Sequence, residues 1–272
     1  MAFSPCYIKT YNSGELKNRI KAAYDILKDC TLCPRECHVN RLEGKLGICK
    51  VGKDPLISSY GPHFGEEPPL VGRNGSGTIF LTHCNLLCIY CQNYEISHLG
   101  MGEIVSLPEF ADMMLYLQGL GCHNINFVTP THQVPQILAA LEIAIPKGLK
   151  VPLVYNSGGY DSIKELKLCD GIFDIYMPDF KYGDSEPAKK YSKAVNYPEV
   201  AKEAFKEMWR QVNDLIINEE GIAERGLLVR HLILPNGLAG TSKVMHFLAT
   251  EISKNTYVNI MDQYRPCGRA NE

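Results

Sequence analysis

The sequence has no run of eighteen apolar residues, the least that carries a helix across a bilayer. Its start, Met1-Ala2-Phe3-Ser4-Pro5-Cys6, has no basic cluster followed by an apolar core, so the expectation is a protein that stays in the cytoplasm. A charge excess is lacking too: 28 Lys and Arg stand against 30 Asp and Glu, for a formal net charge of −2. Such a balance gives no broad field to draw in nucleic acid or an anionic membrane, and neither is expected as a partner. Repeats, low-complexity tracts and coiled-coil heptads are absent. With 272 residues and 45% of them apolar, the chain has enough to bury a full core, and it fits one sizeable domain plus an appendage.

What is plentiful is cysteine. Eleven cysteines would be odd as disulfides in a reducing compartment, and their tight clustering points instead to metal or cluster ligation. The densest set lies in Cys84-Asn85-Leu86-Leu87-Cys88-Ile89-Tyr90-Cys91-Gln92-Asn93, just after an apolar run. Three thiolates so spaced fit three corners of a 4Fe-4S cubane and leave one iron free to engage a small molecule. The alternative is zinc or a closed electron-transfer cluster, each of which normally takes a fourth ligand.

A second set is Cys30-Thr31-Leu32-Cys33-Pro34-Arg35-Glu36-Cys37, followed by Cys49 beyond Gly44 and Gly47. Four soft ligands on a turn-rich segment suit a structural zinc or an auxiliary 4Fe-4S cluster. The spacings match no common zinc pattern, so four free thiols under a packed loop stand as the alternative.

Around these sets, Ser13 is placed to cap a helix over about 14–28, whose stripe is Leu16, Ile20, Ala23 and Leu27. Residues 57–77 are rich in glycine and proline and read as a loop between appendage and core. Beyond it, strands near 78–82, 124–128, 151–155, 172–177, 227–234 and 257–261 alternate with helices near 108–119, 133–145, 160–168, 199–217 and 241–252. Pro108 suits a first helical turn, and Val200, Ala204, Met208, Val212 and Leu215 form a stripe to be buried. This alternation predicts parallel strands with crossover helices, and functional residues at the strands' carboxyl ends.

The pattern C-x-x-x-C-x-aromatic-C, with Tyr90 as the aromatic and Thr78-Ile79-Phe80-Leu81-Thr82 before it, resembles the cluster motif of the radical S-adenosylmethionine (SAM) superfamily. Gln92-Asn93 is most similar to the branch around the pyruvate formate-lyase activating enzymes, and within it to an uncharacterised group that shares C-x-L-C-P-R-x-C. The resemblance covers about residues 57–266. It implies an α/β fold, an open partial (β/α)6 TIM-like barrel of parallel strands over residues 61–272, with a small cysteine-rich N-terminal appendage over 1–60. It further implies that Cys84, Cys88 and Cys91 hold the catalytic cluster, and that SAM chelates its open iron. An electron supplied by a reductant such as flavodoxin or ferredoxin would cleave SAM to a deoxyadenosyl radical. That radical would take a hydrogen atom from a partner glycyl radical enzyme or from a small molecule.

Residue by residue, the resemblance places SAM beside Tyr90 and Asn93 and beside the strand ends. Phe127-Val128-Thr129-Pro130-Thr131-His132 stands where relatives carry S-G-G-E, so Thr129 and Thr131 would take over from the missing glutamate. His132 reads as an exposed helix-start residue in preference to a catalytic group. Asn156 and Ser157 lie in a turn similar to D-T-N-G, with Tyr155 in place of an acid, while Asp179 and Lys181 are similar to D-L-K. Arg230 matches R-x-x-x-x-P and needs an anion, either the SAM carboxylate or a protein carboxylate such as Asp179. Gln263 and Tyr264 fall near the place of an adenine-contacting histidine. Gly65-Glu66-Glu67-Pro68 is similar to the G-G-E-P turn, but it precedes the cluster motif and is not given that role. The expected activity is therefore that of a radical SAM enzyme. A non-catalytic iron-sulfur electron carrier or zinc-stabilised scaffold is the alternative, with closed metal sites and no SAM affinity.

Overall fold

A computed structural model describes residues 3–271, which leaves Met1 and Ala2 of the start read above outside the described residues. The strands are β1 (Leu56–His63), β2 (Ser76–Leu81), β3 (Glu103–Ile104), β4 (Ile125–Val128), β5 (Leu153–Asn156), β6 (Ile175–Tyr176), β7 (Ile216–Ile217), β8 (Ala223–Leu232) and β9 (Tyr257–Met261). Neighbours in the order β2-β4-β5-β6-β8-β9 all pair parallel. Between them lie the helices Leu107–Gly119, Val134–Ala144, Ile163–Cys169, Tyr197–Val212 and Thr241–Phe247. The fold is thus α/β with an open, mostly parallel sheet.

Alternation along the strands sends one set of side chains to the helices and the other to the opposite face. Ile79, Ile125, Phe127, Leu153, Tyr155, Tyr176, Leu227 and Val229 join the main core under the helices. The helix Leu107–Gly119 starts at a reciprocal cap, Ser106 with Glu109, and has Pro108 in its first turn. On the opposite face, Leu70 from the short helix Pro68–Val71 packs with Val154, Ile175, Met177 and Leu228.

Three expectations need correction. The glycine- and proline-rich stretch is not all loop: β1 occupies its first part, antiparallel to both β2 and β3, so the sheet is mixed. The helix expected to reach residue 217 stops at Val212, because Asn213 turns to φ 59°, and β7 follows antiparallel to β8. Ser13 does not cap the helix Glu15–Ile26; Gly14 does, at φ 79°, and Ser13 closes a separate helix, Cys6–Asn12. Among the described residues no helix is long and apolar enough to cross a membrane.

Candidate functional site

β2 ends in the buried core, and the next residues turn sharply. His83 at φ 68° and Leu87 at φ 60° occupy the left-handed region, which is costly for such side chains and marks a backbone held in place by its surroundings. The result is that Cys84, Cys88 and Cys91 stand together at the carboxyl end of β2. Each sulfur accepts a hydrogen bond: Cys88 from Ser192 Oγ at 3.0 Å, Cys91 from Ser97 Oγ at 3.2 Å, and Cys84 from Leu86 N at 3.3 Å.

Burial pushes the Cys84 thiol up to about 12 and raises that of Cys88, where the Lys181 ammonium pulls the other way. Without a bound cation these groups stay protonated; with one they become thiolates already dressed with donors, as iron-sulfur ligands are. Among the described residues no three His, Cys, Asp or Glu side chains are gathered to hold a single ion. A cubane gives each thiolate its own iron, so its ligands surround it rather than meet at a point, and the donor set here fits that group.

Beside the loop, the ends of β5, β6 and β8 bring charged groups together. Asp179 Oδ2 lies 2.6 Å from Lys181 Nζ, and its Oδ1 accepts from Arg230 Nε at 2.7 Å. Arg230 Nη2 donates to Asn156 Oδ1 at 2.8 Å, and Nη1 lies 3.4 Å from Glu66 Oε2. Burial works against the Asp179 charge, but Arg230 and Lys181 overcome it and hold the carboxyl below its usual range. Burial raises the Glu66 carboxyl, with Arg230 opposing. Glu67 Oε1 accepts from Asn259 Nδ2 of β9 at 3.0 Å, while its buried Oε2 has no partner. Asn126, wholly buried in β4, leaves both side-chain polar atoms unpartnered. Cations for a carboxylate and acids for an ammonium together suit a polar zwitterion.

The other expected contacts divide. Thr129, at φ 62°, donates its N–H to Asn156 O at 2.8 Å at the rim of this cluster. Thr131 and Ser157 instead give their hydroxyl protons to Asp161 at 2.6 Å each, in a buried network with Tyr155 and Glu165. Burial raises both of those acids, and the single Tyr155 hydroxyl proton is shared between them, with its oxygen within hydrogen-bond reach of each. Tyr90 is buried between the rings of Tyr182 and Tyr264, at 6.3 and 6.2 Å. Asn93 is exposed and precedes the helix Tyr94–Ser97 without capping it through its side chain. Gln263 is exposed, and it is Tyr264 that reaches the cysteine loop.

His132 is not the exposed residue expected. It is 1% exposed, meets Thr82 O through Nε2 at 2.9 Å, and is pushed down to about 3 by burial, hence neutral. Its place is the wall of a cavity ringed by Cys30, Cys33, Cys37 and Cys49.

Sequence reasoning withheld a role from Glu66 and Glu67 because their turn precedes the cysteine loop, yet the fold brings them to Arg230 and Asn259, and the same reasoning passed over Asn126. An amide between Ile125 and Phe127 in an apolar strand was a readable signal for the last. The two glutamates reach Arg230 and Asn259 only through the strand β1 and the turn after it.

No protein-family model matches the chain. It is 33% identical over 264 residues to an uncharacterised protein of Methanocaldococcus jannaschii, a match that spans 93% of this chain and 71% of that protein.

Proposed function

We propose that this chain, which belongs to the family of that uncharacterised Methanocaldococcus jannaschii protein, is a radical SAM enzyme. The observation that carries the reading is the three-cysteine loop, with a donor on every sulfur, set beside the linked charges of Asp179, Lys181 and Arg230. We read the sheet as an open, partial TIM-like barrel with its mouth at the strands' carboxyl ends.

Held by Cys84, Cys88 and Cys91, a 4Fe-4S cluster would supply the electron and open coordination site for reductive cleavage of SAM to methionine and a deoxyadenosyl radical. The chain's own part is to bind, orient and exclude water. Arg230 and Lys181 face an incoming carboxylate, and Asp179 and Glu66 offer acceptors to an ammonium. Asn156 fixes the Arg230 fork through Nη2. Tyr90, Tyr182 and Tyr264 cover one side of the loop with rings, which lowers water access and makes each charge interaction there stronger. Such chemistry belongs in the reducing cytoplasm and draws electrons from a small carrier such as flavodoxin or ferredoxin. The hydrogen donor is either a glycyl radical enzyme or a small molecule, and turnover with an isolated metabolite against turnover that requires a co-purified protein separates them.

The test is anaerobic reconstitution with iron and sulfide, then addition of SAM and a strong reductant. Deoxyadenosine should form, and the reduced cluster's electron paramagnetic resonance signal should change when SAM is added. A reconstituted chain whose signal ignores SAM and which releases no deoxyadenosine would be the electron carrier or scaffold instead.

A further inference from the structure

We infer that Cys30, Cys33, Cys37 and Cys49 form a second metal centre, a four-thiolate site for a thiophilic cation, with Arg41 as its buried counter-ion and Arg35 as its link to the Cys84–Cys91 loop. The inference stands on a different part of the chain from the SAM reading and does not depend on it.

All four thiols are free and line one cavity, which Leu32, Arg35, Arg41, Gly47 and His132 complete. The segment has few apolar residues to hold it: its own cluster is Leu27, Cys30 and Leu32, with four nearby side chains and Leu168 packed against it. Yet its backbone carries three non-glycine residues in the left-handed region, Glu36 at φ 39°, His38 at φ 51° and Lys50 at φ 54°. Each is unfavourable alone, so something beyond this small core must hold the turns. A side chain at Gly47 would lie 2.8 Å from Cys37 Cβ and Sγ, so glycine there lets the distant strand of the segment close on that thiol. Ile48 N donates to Cys37 Sγ at 3.4 Å, as a donor to a metal-bound sulfur would.

Arg41 is the independent observation. It is 1% exposed, its Nη2 donates to Gly52 O and His132 O at 2.9 Å each, and its Nη1 stands 3.9 Å from Cys30 Sγ. Its Nε has no partner, and among the described residues it forms no ion pair with a carboxylate. A buried guanidinium without an anion is strongly unfavourable. Four neutral thiols do not supply the anion, whereas four thiolates around a divalent ion, or around a 4Fe-4S core of the same charge, carry a net charge of about −2. As they stand, the sulfurs ring the cavity without meeting at one point. Zinc would require the thiols to rotate about their first torsion until they meet, whereas a cubane, which gives each thiolate its own iron, takes ligands set around a ring.

Arg35, between Cys33 and Cys37, ties this ring to the other. Its Nε donates to Asn85 O at 2.7 Å, and its Nη2 to Leu86 O at 3.0 Å and Ser192 O at 2.9 Å. Asn85 and Leu86 lie between Cys84 and Cys88, and Ser192 is the residue whose hydroxyl donates to Cys88.

The experiment uses the full chain carrying Cys84→Ala, Cys88→Ala and Cys91→Ala, reconstituted separately with zinc and with iron and sulfide. We expect about one zinc or about four irons per chain to remain after gel filtration. Cobalt exchange that gives thiolate-to-cobalt absorption identifies the zinc arm, and visible absorption that bleaches on reduction identifies the cluster arm. In the loaded chain, Cys30, Cys33, Cys37 and Cys49 should resist alkylation until a chelator is added, a readout that needs no further variant. Arg41→Met in the same background should weaken metal retention about 10- to 100-fold in chelator competition. A chain that keeps neither metal, with these four thiols alkylated at one rate whether metal is present or not, overturns the site. Unchanged retention in Arg41→Met overturns the counter-ion role.

Discussion

The three-cysteine loop and the four-cysteine segment use the same ligand atom in opposite settings. Around the loop each sulfur takes a hydrogen bond from Ser97, Ser192 or backbone, and charged side chains of alternating sign at the ends of the neighbouring strands border it. Around the segment the sulfurs ring a cavity whose two arginines, Arg35 and Arg41, have backbone carbonyls and no carboxylate as partners among the described residues, and of the two it is Arg41 that is fully buried and stands beside a sulfur. Three donors leave an iron uncommitted; four donors satisfy a metal completely. On the proposed assignments, reactivity would follow the number of ligands, and architecture would follow ring closure and a counter-ion.

The largest effect should come from breaking that division at its reactive side. Cys88→Ala is expected to reduce deoxyadenosine formation to the level seen without protein, while metal bound at the four-cysteine segment is unaffected. Retained turnover would show that the two sets are not divided as described. Next, Arg35→Met cuts the link and leaves several carbonyls of the loop and of Ser192 without a charged donor. A loss of about 3 kcal/mol in denaturant unfolding, with lower iron retention at the loop, is expected; normal stability would mean that the two rings are independent.

Arg230→Met sharpens the reactive side. If Arg230 serves the SAM carboxylate, affinity should weaken by about 2 kcal/mol, roughly 30-fold, in a titration followed by electron paramagnetic resonance. Unchanged affinity in a less stable chain would assign it to Asp179 and Glu66 alone. The smallest effect lies away from both rings, at Asp174, which accepts from Cys6 N at 2.9 Å. Burial, opposed by that backbone donor, lifts its carboxyl from an ordinary 3.8 to about 6. The folded chain then keeps a proton that the unfolded chain loses. This contribution is fully present below about pH 4 and lost as pH rises through about 6. Asp174→Asn should flatten that slope, with a net change of about 1 kcal/mol once the lost acceptor is set against it, and should leave metal content at both rings untouched.

Much of the sheet was legible because β2, β4, β5 and β8 read as buried apolar runs between amphipathic helices. β1 was not, since Gly61 and Pro62 are loop residues by composition. They are tolerated because β3 pairs with β1 only at Leu56 and Ile57, so Pro62 lies where β1 has β2 on one side and no ladder on the other. Cys84, Cys88 and Cys91 announced themselves by spacing, and Asp179 with Lys181 by their shared side of an extended chain. Thr131 and Ser157 looked equally available, but the partner that engages them, Asp161, is visible only once the turns are folded. His132 looked exposed at a helix start, and it is buried because the cysteine segment packs over it.

The turn at Glu66 and Glu67 also sets an order of assembly. Glu66 meets Arg230 across 164 residues, and Glu67 meets Asn259 across 192. Contacts so distant in sequence close a large loop and form late, and on a ribosome they wait for β8 and β9 to emerge. All seven clustered cysteines are made long before that point. If the proposed metal centres form, a nascent chain could be loaded while this end of the sheet is still half built, and Glu66 and Glu67 spend that interval without Arg230 and Asn259.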